Sequence, residues 1–155
     1  MQIRPAMAFD LVAVASCAGL SFGSPRSPDN RVELALQIQE GSTHVICDAG
    51  RVLGYISFSR NRDHLFVDAV AVLPIRHRQG LGTQLLAFAE KEALRLGLRS
   101  VRLFTNGKIA GNLIFYRRRG YRETGRCDVG SFSRVFYSKD TAPPWRDCPT
   151  AHLRP

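Results

Sequence analysis

The stretch from Phe66 to Leu86, FVDAVAVLPIRHRQGLGTQLL, most constrains what this chain can fold into. From Val67 to Leu73 it is small, β-branched or apolar, broken only by the charge of Asp68. That is the composition of a strand covered on both faces. Pro74 ends the ladder, because proline has no N–H to donate. A basic loop leads to Gly80-Leu81-Gly82, after which Leu81, Leu85, Phe88 and Ala89 share one helical face. A strand, a glycine turn and a helix start together make an anion site. Glycine lets backbone N–H groups crowd around a phosphate, and the helix dipole favours negative charge there. Arg76, His77 and Arg78 add side-chain donors, so the stretch reads as a pyrophosphate cradle. Gly-x-Gly also occurs at plain tight turns. No Gly-Lys-Ser/Thr follows, so this is not a P-loop, and the third glycine of the dinucleotide fingerprint would fall at Leu85.

With 155 residues, 45% hydrophobic and 23% charged, the chain suits one soluble domain with a substantial core. Its net charge of +9 favours polyanionic partners: nucleic acid, an acidic membrane surface or a phosphate-rich cofactor. Cys17, Cys47, Cys127 and Cys148 lie far apart with no C-x-x-C, which argues against zinc and suits free thiols in a reducing compartment. Met7 to Gly23 is apolar enough to suggest a signal peptide, but Asp10 interrupts it and only Arg4 supplies positive charge. An amphipathic helix with Leu11, Val14, Ala15 and Ala18 inward accounts for it better. No apolar run reaches the ~20 residues of a membrane span, and the expected location is the cytoplasm.

Taken in order, Gln2–Pro5 reads as a strand, 8–20 as a helix, and Ser24–Pro28 as a loop. Asp29 or Asn30 can cap a second helix, with either Val32, Leu36 and Gln39 or Leu34 and Ile38 sharing a face. Thr43–Cys47 and Val52–Phe58 are strands around a turn at Asp48-Ala49-Gly50-Arg51. The glycine-turn helix ends near Leu96, with Gly97 as its left-handed stop. A strand at Arg99–Thr105 precedes a helix at Ile109–Arg119, closed by Gly120. Strands Tyr121–Gly125 and Phe132–Ser138 flank a loop at Cys127–Gly130. One domain is thus expected over 1–138, followed by a proline-rich tail of poor local order over 139–155. The order β-α-α-β-β-β-α-β-α-β-β predicts an α/β domain with a mixed sheet and helices on both faces.

Asn112 and Tyr116 lie one turn apart on the fourth helix, with Phe115 on a neighbouring face suited to the core and Arg117-Arg118-Arg119 at the C-terminal end. Taken alone, such a tyrosine anchors packing and such an arginine run is a solvated face. The stretch LPIRHRQGLGTQLL, however, resembles the acetyl-CoA motif of the GNAT superfamily of N-acetyltransferases, Gln/Arg-x-x-Gly-x-Gly/Ala. TNGKIAGNLIFYRRRGYRETGR resembles that superfamily's second motif, in which an Asn precedes a Tyr by four residues before a Gly-aromatic pair, here Gly120-Tyr121.

The resemblance implies a twisted, mostly antiparallel sheet of about six to seven strands flanked by about four helices. It implies acetyl-CoA as cosubstrate, with the pyrophosphate on backbone N–H groups of Gln79, Gly80, Leu81, Gly82 and Thr83 and with Arg76, His77 or Arg78 as side-chain donors. His77 stands where the family usually has Gln or Arg. Pantetheine would pair with the backbone of Val70 and Val72, on either side of Ala71, and with Asn112 and the neighbourhood of Phe115. Tyr116 would protonate the departing thiolate, a role open to a phenol with an ordinary pKa of about 10. An attacking amine needs a base, for which Asp68 leads, followed by Glu33, Glu40 and His64. The acceptor is an amine, of a small molecule or a protein, and a homodimer is compatible with the family. The excess positive charge disfavours a polycationic acceptor. A catalytically silent CoA sensor is the alternative reading. A nucleic-acid-binding module is a weaker one, because the arginines cluster at the phosphate site and no reading motif is present.

Overall fold

The computed structural model describes residues 1–22, 29–130 and 132–141. Its elements are β1 (Gln2–Pro5), α1 (Leu11–Phe22), α2 (Asp29–Gln39), β2 (Thr43–Asp48), β3 (Arg51–Arg60), β4 (His64–Val72), α3 (Leu81–Arg95), β5 (Ser100–Asn106), α4 (Ala110–Arg118), β6 (Arg122–Val129) and β7 (Phe132–Asp140). The hydrogen-bonded strand order is β1-β2-β3-β4-β5-β7-β6. This is the expected α/β fold, a mostly antiparallel seven-stranded sheet with four helices. The loop expected at Ser24–Pro28 and the tail beyond Thr141 lie outside the described residues.

The described residues form two compact units, one within Met1–Ser59 and Val67–Phe88 and one within Arg60–Phe66 and the described chain from Ala89 onward. In the first unit, α1 turns Val14, Cys17 and Ala18 inward, onto a core that includes Leu34 and Ile38 of α2 and Val45, Cys47, Tyr55 and Ala71 of the strands. The inward face expected of this helix (Leu11, Val14, Ala15 and Ala18) is the one that packs on the core. Of the two faces open for α2, Leu34 and Ile38 are the buried one, while Val32 and Leu36 are 64% and 52% exposed.

Asp10, the charge that interrupts the apolar N-terminal run, is itself buried. Its carboxylate accepts from Arg4 at 2.8 and 3.1 Å and from the Met7 N–H at 2.7 Å, joining β1 to the turn before α1. The hydrogen bond from Arg4 holds the Asp10 carboxyl below the usual aspartate range, against the cost of burial. Because the folded pKa is depressed, this contribution is complete above the unfolded value of about 3.9 and is lost as pH falls through the folded value. Asp10→Asn should cost about 2–4 kcal/mol at neutral pH, since it leaves a guanidinium half-buried and unpaired. Thermal melts at pH 7 and pH 3 check this: the gap between mutant and wild type should narrow at the lower pH, and an equal gap would mean that shape rather than charge is at stake.

The β2–β3 turn has Ala49 at φ 50° and Gly50 at φ 79°, the mirror-type geometry that matches strand twist. Within β3, Gly54 lies so close to β4 that a Cβ would meet the Ala71 carbonyl oxygen at 2.7 Å. No larger residue fits there without moving the strand backbone.

In the second unit, β4 runs parallel to β5 (Leu65 opposite Val101), and β7 pairs antiparallel with both β5 and β6. Helix α3 ends as expected, with Gly97 at φ 75° and the Leu98 N–H on the Ala93 carbonyl at 2.8 Å. Two boundaries differ from expectation. Cys127, Asp128 and Val129 belong to β6, because β7 offers them ladder partners (Cys127 opposite Arg134) that outweigh their weak strand propensity. Likewise, Lys139 and Asp140 are the end of β7, so the strand crosses the expected boundary at Lys139. Lys139 is held by Glu90 at 3.0 Å, and Glu90 also accepts from the Tyr121 hydroxyl at 2.9 Å.

Candidate functional site

The cradle belongs to the first unit. β4 ends at Val72, the Leu73 N–H bonds the Leu53 carbonyl at 2.9 Å, and Pro74–Arg76 form a 3-10 turn. Two residues of the loop then take left-handed backbone, Arg78 at φ 66° and Gly80 at φ 79°, with Gln79 between them. For glycine this costs nothing, but for arginine it costs about 1–2 kcal/mol. Alternating backbone hand turns successive N–H groups to one side, which makes an anion-binding concavity. The first helical bond runs from the Gln84 N–H to the Gly80 carbonyl at 3.0 Å, so the donors of the opening turn precede it. Leu81 is buried and anchors the helix start, while His77, Arg78, Gln79 and Gly80 stay exposed. Arg76 approaches the Gln79 side-chain oxygen at 3.5 Å.

His77 braces the loop. Its Nε2 donates to the Val72 carbonyl at 2.9 Å and pins the loop to the end of β4. Exposed, cation-bearing and shaped to aim backbone donors outward, the segment fits a pyrophosphate.

Asp68, Val70, Ala71 and Val72 lie on β4 just ahead of the cradle and in the same unit. Desolvation pushes the Asp68 carboxyl above the ordinary aspartate range; a Ser59 hydrogen bond opposes the shift and the charge of Glu33 adds to it. A carboxylate shifted upward is a better proton acceptor at neutral pH. Glu33 and Glu40 are exposed on and after α2. His64 stands at the other end of β4, with Nδ1 2.8 Å from Asp63, whose second oxygen is 3.9 Å from Arg102. That cluster ties the start of β4.

Tyr116, Asn112 and Phe115 belong to the second unit. The Tyr116 ring is buried among Phe115 (5.1 Å, edge-on), Tyr121 (5.9 Å, edge-on) and Tyr137 (5.8 Å, tilted). Burial pushes its phenol up to about 12, against the opposing charge of Arg119. The group is fully protonated at neutral pH. The Asn112 amide donates to the Thr105 hydroxyl at 3.1 Å, which fixes its orientation in the first turns of α4. Phe115 is half-buried rather than in the core, with Arg119 3.6 Å above its ring and donating to its carbonyl at 2.8 Å. Arg119 is thus not part of a plain solvated face. An arginine four residues after an aromatic was the available signal.

Cys17 and Cys47 are buried, and burial pushes the Cys47 thiol up, which suits neither for nucleophilic attack. Among the described residues no group of three or more His, Cys, Asp or Glu side chains could hold a metal. No helix among them is long and apolar enough to cross a membrane.

Residues 13–121 match the Acetyltransferase (GNAT) family. The aminoalkylphosphonate N-acetyltransferase of Salmonella typhimurium is 37% identical over 82 residues, covering 48% of this chain and 53% of that protein. The chain thus spans about half the length of that curated relative. Among solved structures, Ard1 from Thermoplasma volcanium superposes with a TM-score of 0.81 at 21% identity, over 92% of this chain and 98% of that one. PaiA N-acetyltransferase from Thermoplasma acidophilum, in complex with coenzyme A, gives 0.74 at 17% identity, over 90% and 98%. At such identities the structures speak for the fold, while the family match extends over most of the chain and takes in both the cradle and the Asn112–Tyr116 helix. This chain belongs to the GNAT acetyltransferase family.

Proposed function

We propose that this protein transfers acetyl from acetyl-CoA to a primary amine by direct attack. The observation that carries the reading is the loop after β4, where Arg78 and Gly80 hold left-handed backbone at the start of α3. That strain is useful where successive N–H groups must face an anion. The backbone of Gln79 to Thr83 holds the pyrophosphate, with Arg76 and Arg78 as outer donors. The backbone of Val70 and Val72 and the Asn112 amide hold pantetheine. The amine nitrogen attacks the thioester carbonyl, forming the C–N bond and breaking the C–S bond. Asp68 takes the amine proton, directly or through water, and Tyr116 gives its phenol proton to the departing thiolate. The cytoplasm, where acetyl-CoA is available, is the compartment this reading proposes.

Calorimetric titration with acetyl-CoA, followed by an amine panel read through released CoA thiol, tests this. Binding with turnover of an amine supports the reading; binding without turnover of any amine would make the protein a CoA sensor, and no binding at low salt would remove the cosubstrate. Asp68→Asn should lower kcat/KM by roughly ten- to a hundredfold at neutral pH and abolish the acid limb of the rate profile. In the wild type that limb should lie above the ordinary aspartate value of about 3.9. An unaltered profile in the mutant would leave Asp68 as an orienting carboxylate.

A further inference from the structure

The second unit holds a cation that none of these steps uses. Arg134 lies on β7 opposite Asn106, the last residue of β5, and opposite Cys127 of β6. It is half-buried, and its Nε is shut off from solvent without a hydrogen-bond partner among the described residues. No carboxylate among those residues pairs with it, and its guanidinium carbon lies 4.8 Å over the ring of Phe104. Phe104 in turn stands between Phe66 (6.1 Å) and Phe136 (5.8 Å), all three half-buried, so the cation sits at the end of an aromatic floor. A buried donor left unused is costly unless an acceptor completes it, and on a guanidinium the best acceptor is an anion.

Its position suits an acceptor. Strand alternation puts Leu103 and Thr105 on the face of β5 that meets α4, where Asn112 bonds Thr105, and puts Phe104 and Asn106 on the other. Arg134 shares the second face, at the carboxyl end of a strand that runs parallel to β4, the end at which α/β sheets bind ligands.

Building on the acetyl-transfer reading, we propose that the acceptor is a small primary amine carrying a carboxylate, phosphonate or phosphate group, and that Arg134 binds that anion. The net charge of +9 is consistent with an anionic substrate.

The test compares 2-aminoethylphosphonate and β-alanine with ethylamine and ethanolamine, using the full chain and acetyl-CoA. The anionic amines should show kcat/KM at least about tenfold higher. Arg134→Gln should erase that preference while leaving the neutral amines within about twofold, and Arg134→Lys should restore part of it. Equal use of anionic and neutral amines, or a preference that survives Arg134→Gln, overturns the assignment.

A second arm does not need turnover. Cys127 is exposed and directly opposite Arg134, so its alkylation can be followed by peptide mass. Anionic iodoacetate should gain on neutral iodoacetamide in the wild type, lose that gain in Arg134→Gln, and be blocked by 2-aminoethylphosphonate in the presence of CoA. If no amine is acetylated although acetyl-CoA binds, the transfer reading fails. Protection of Cys127 would then support the anion site by itself, and no protection would overturn it.

Discussion

Gly82→Asp yields a folded protein that no longer binds acetyl-CoA in a calorimetric titration. The position is the second residue of α3, four residues beyond the left-handed Arg78. In the unliganded protein an aspartate there is no burden, because negative charge is favoured in the first turn of a helix. The thermal midpoint should therefore hold or rise slightly. Binding is another matter, since the new carboxylate competes with the pyrophosphate for the same donors and repels it. Two unit charges about 4 Å apart at an effective dielectric of about 20 repel by roughly 4 kcal/mol, so a loss of at least about a hundredfold is expected. Gly82→Asn, nearly the same size without the charge, should lose much less. Equal affinity in folded Gly82→Asp would mean that the pyrophosphate is held elsewhere.

Tyr116→Phe should slow acetyl transfer by roughly ten- to a thousandfold with acetyl-CoA affinity unchanged. The ring contacts with Phe115, Tyr121 and Tyr137 do not need the hydroxyl, so packing and melting temperature should be nearly preserved. With its phenol pushed up to about 12, Tyr116 contributes no basic limb to the wild-type profile in any range where the protein would be assayed. Loss of the general acid should therefore depress the rate evenly from pH 6 to 10, and it should weigh more on acyl donors whose leaving thiols are more basic. A rate on the true acceptor equal to wild type removes Tyr116 from that role.

Much of this was legible in the sequence, for identifiable reasons. The hairpin at Asp48–Arg51, the stop at Gly97 and the turn at Gly80 rest on glycines whose positive φ the fold requires. The inward stripe of α1 follows from helical spacing alone. What stayed hidden depends on partners distant in the chain. Periodicity could not choose between the two apolar faces of α2. Cys127 to Val129 look like loop residues until β7 pairs with them, and Lys139 looks like the start of a tail until Glu90 is placed beside it. The left-handed backbone of Arg78 is equally invisible, because arginine does not announce that conformation. That His77 braces the loop is likewise unseen until its ring nitrogen is found on the Val72 carbonyl. Arg134 is one cation among twenty-two Lys and Arg residues, and only the strand register sets it beside Asn106.

The outermost strands of the sheet carry a consequence for how copies of this chain meet. β1 is only four residues long and contains Arg4 and Pro5, a bulky cation and a residue without an N–H. β6, at the far margin, bears Arg122, Glu123, Arg126 and Asp128 and is kinked by a register shift between Glu123 and Gly125. Shortness, proline, charge and a bulge are the features that keep open sheets from annealing to one another. Joining margins would leave backbone donors unmatched at the proline and at the register shift. Two molecules of this protein have little to gain from building one continuous sheet through these margins.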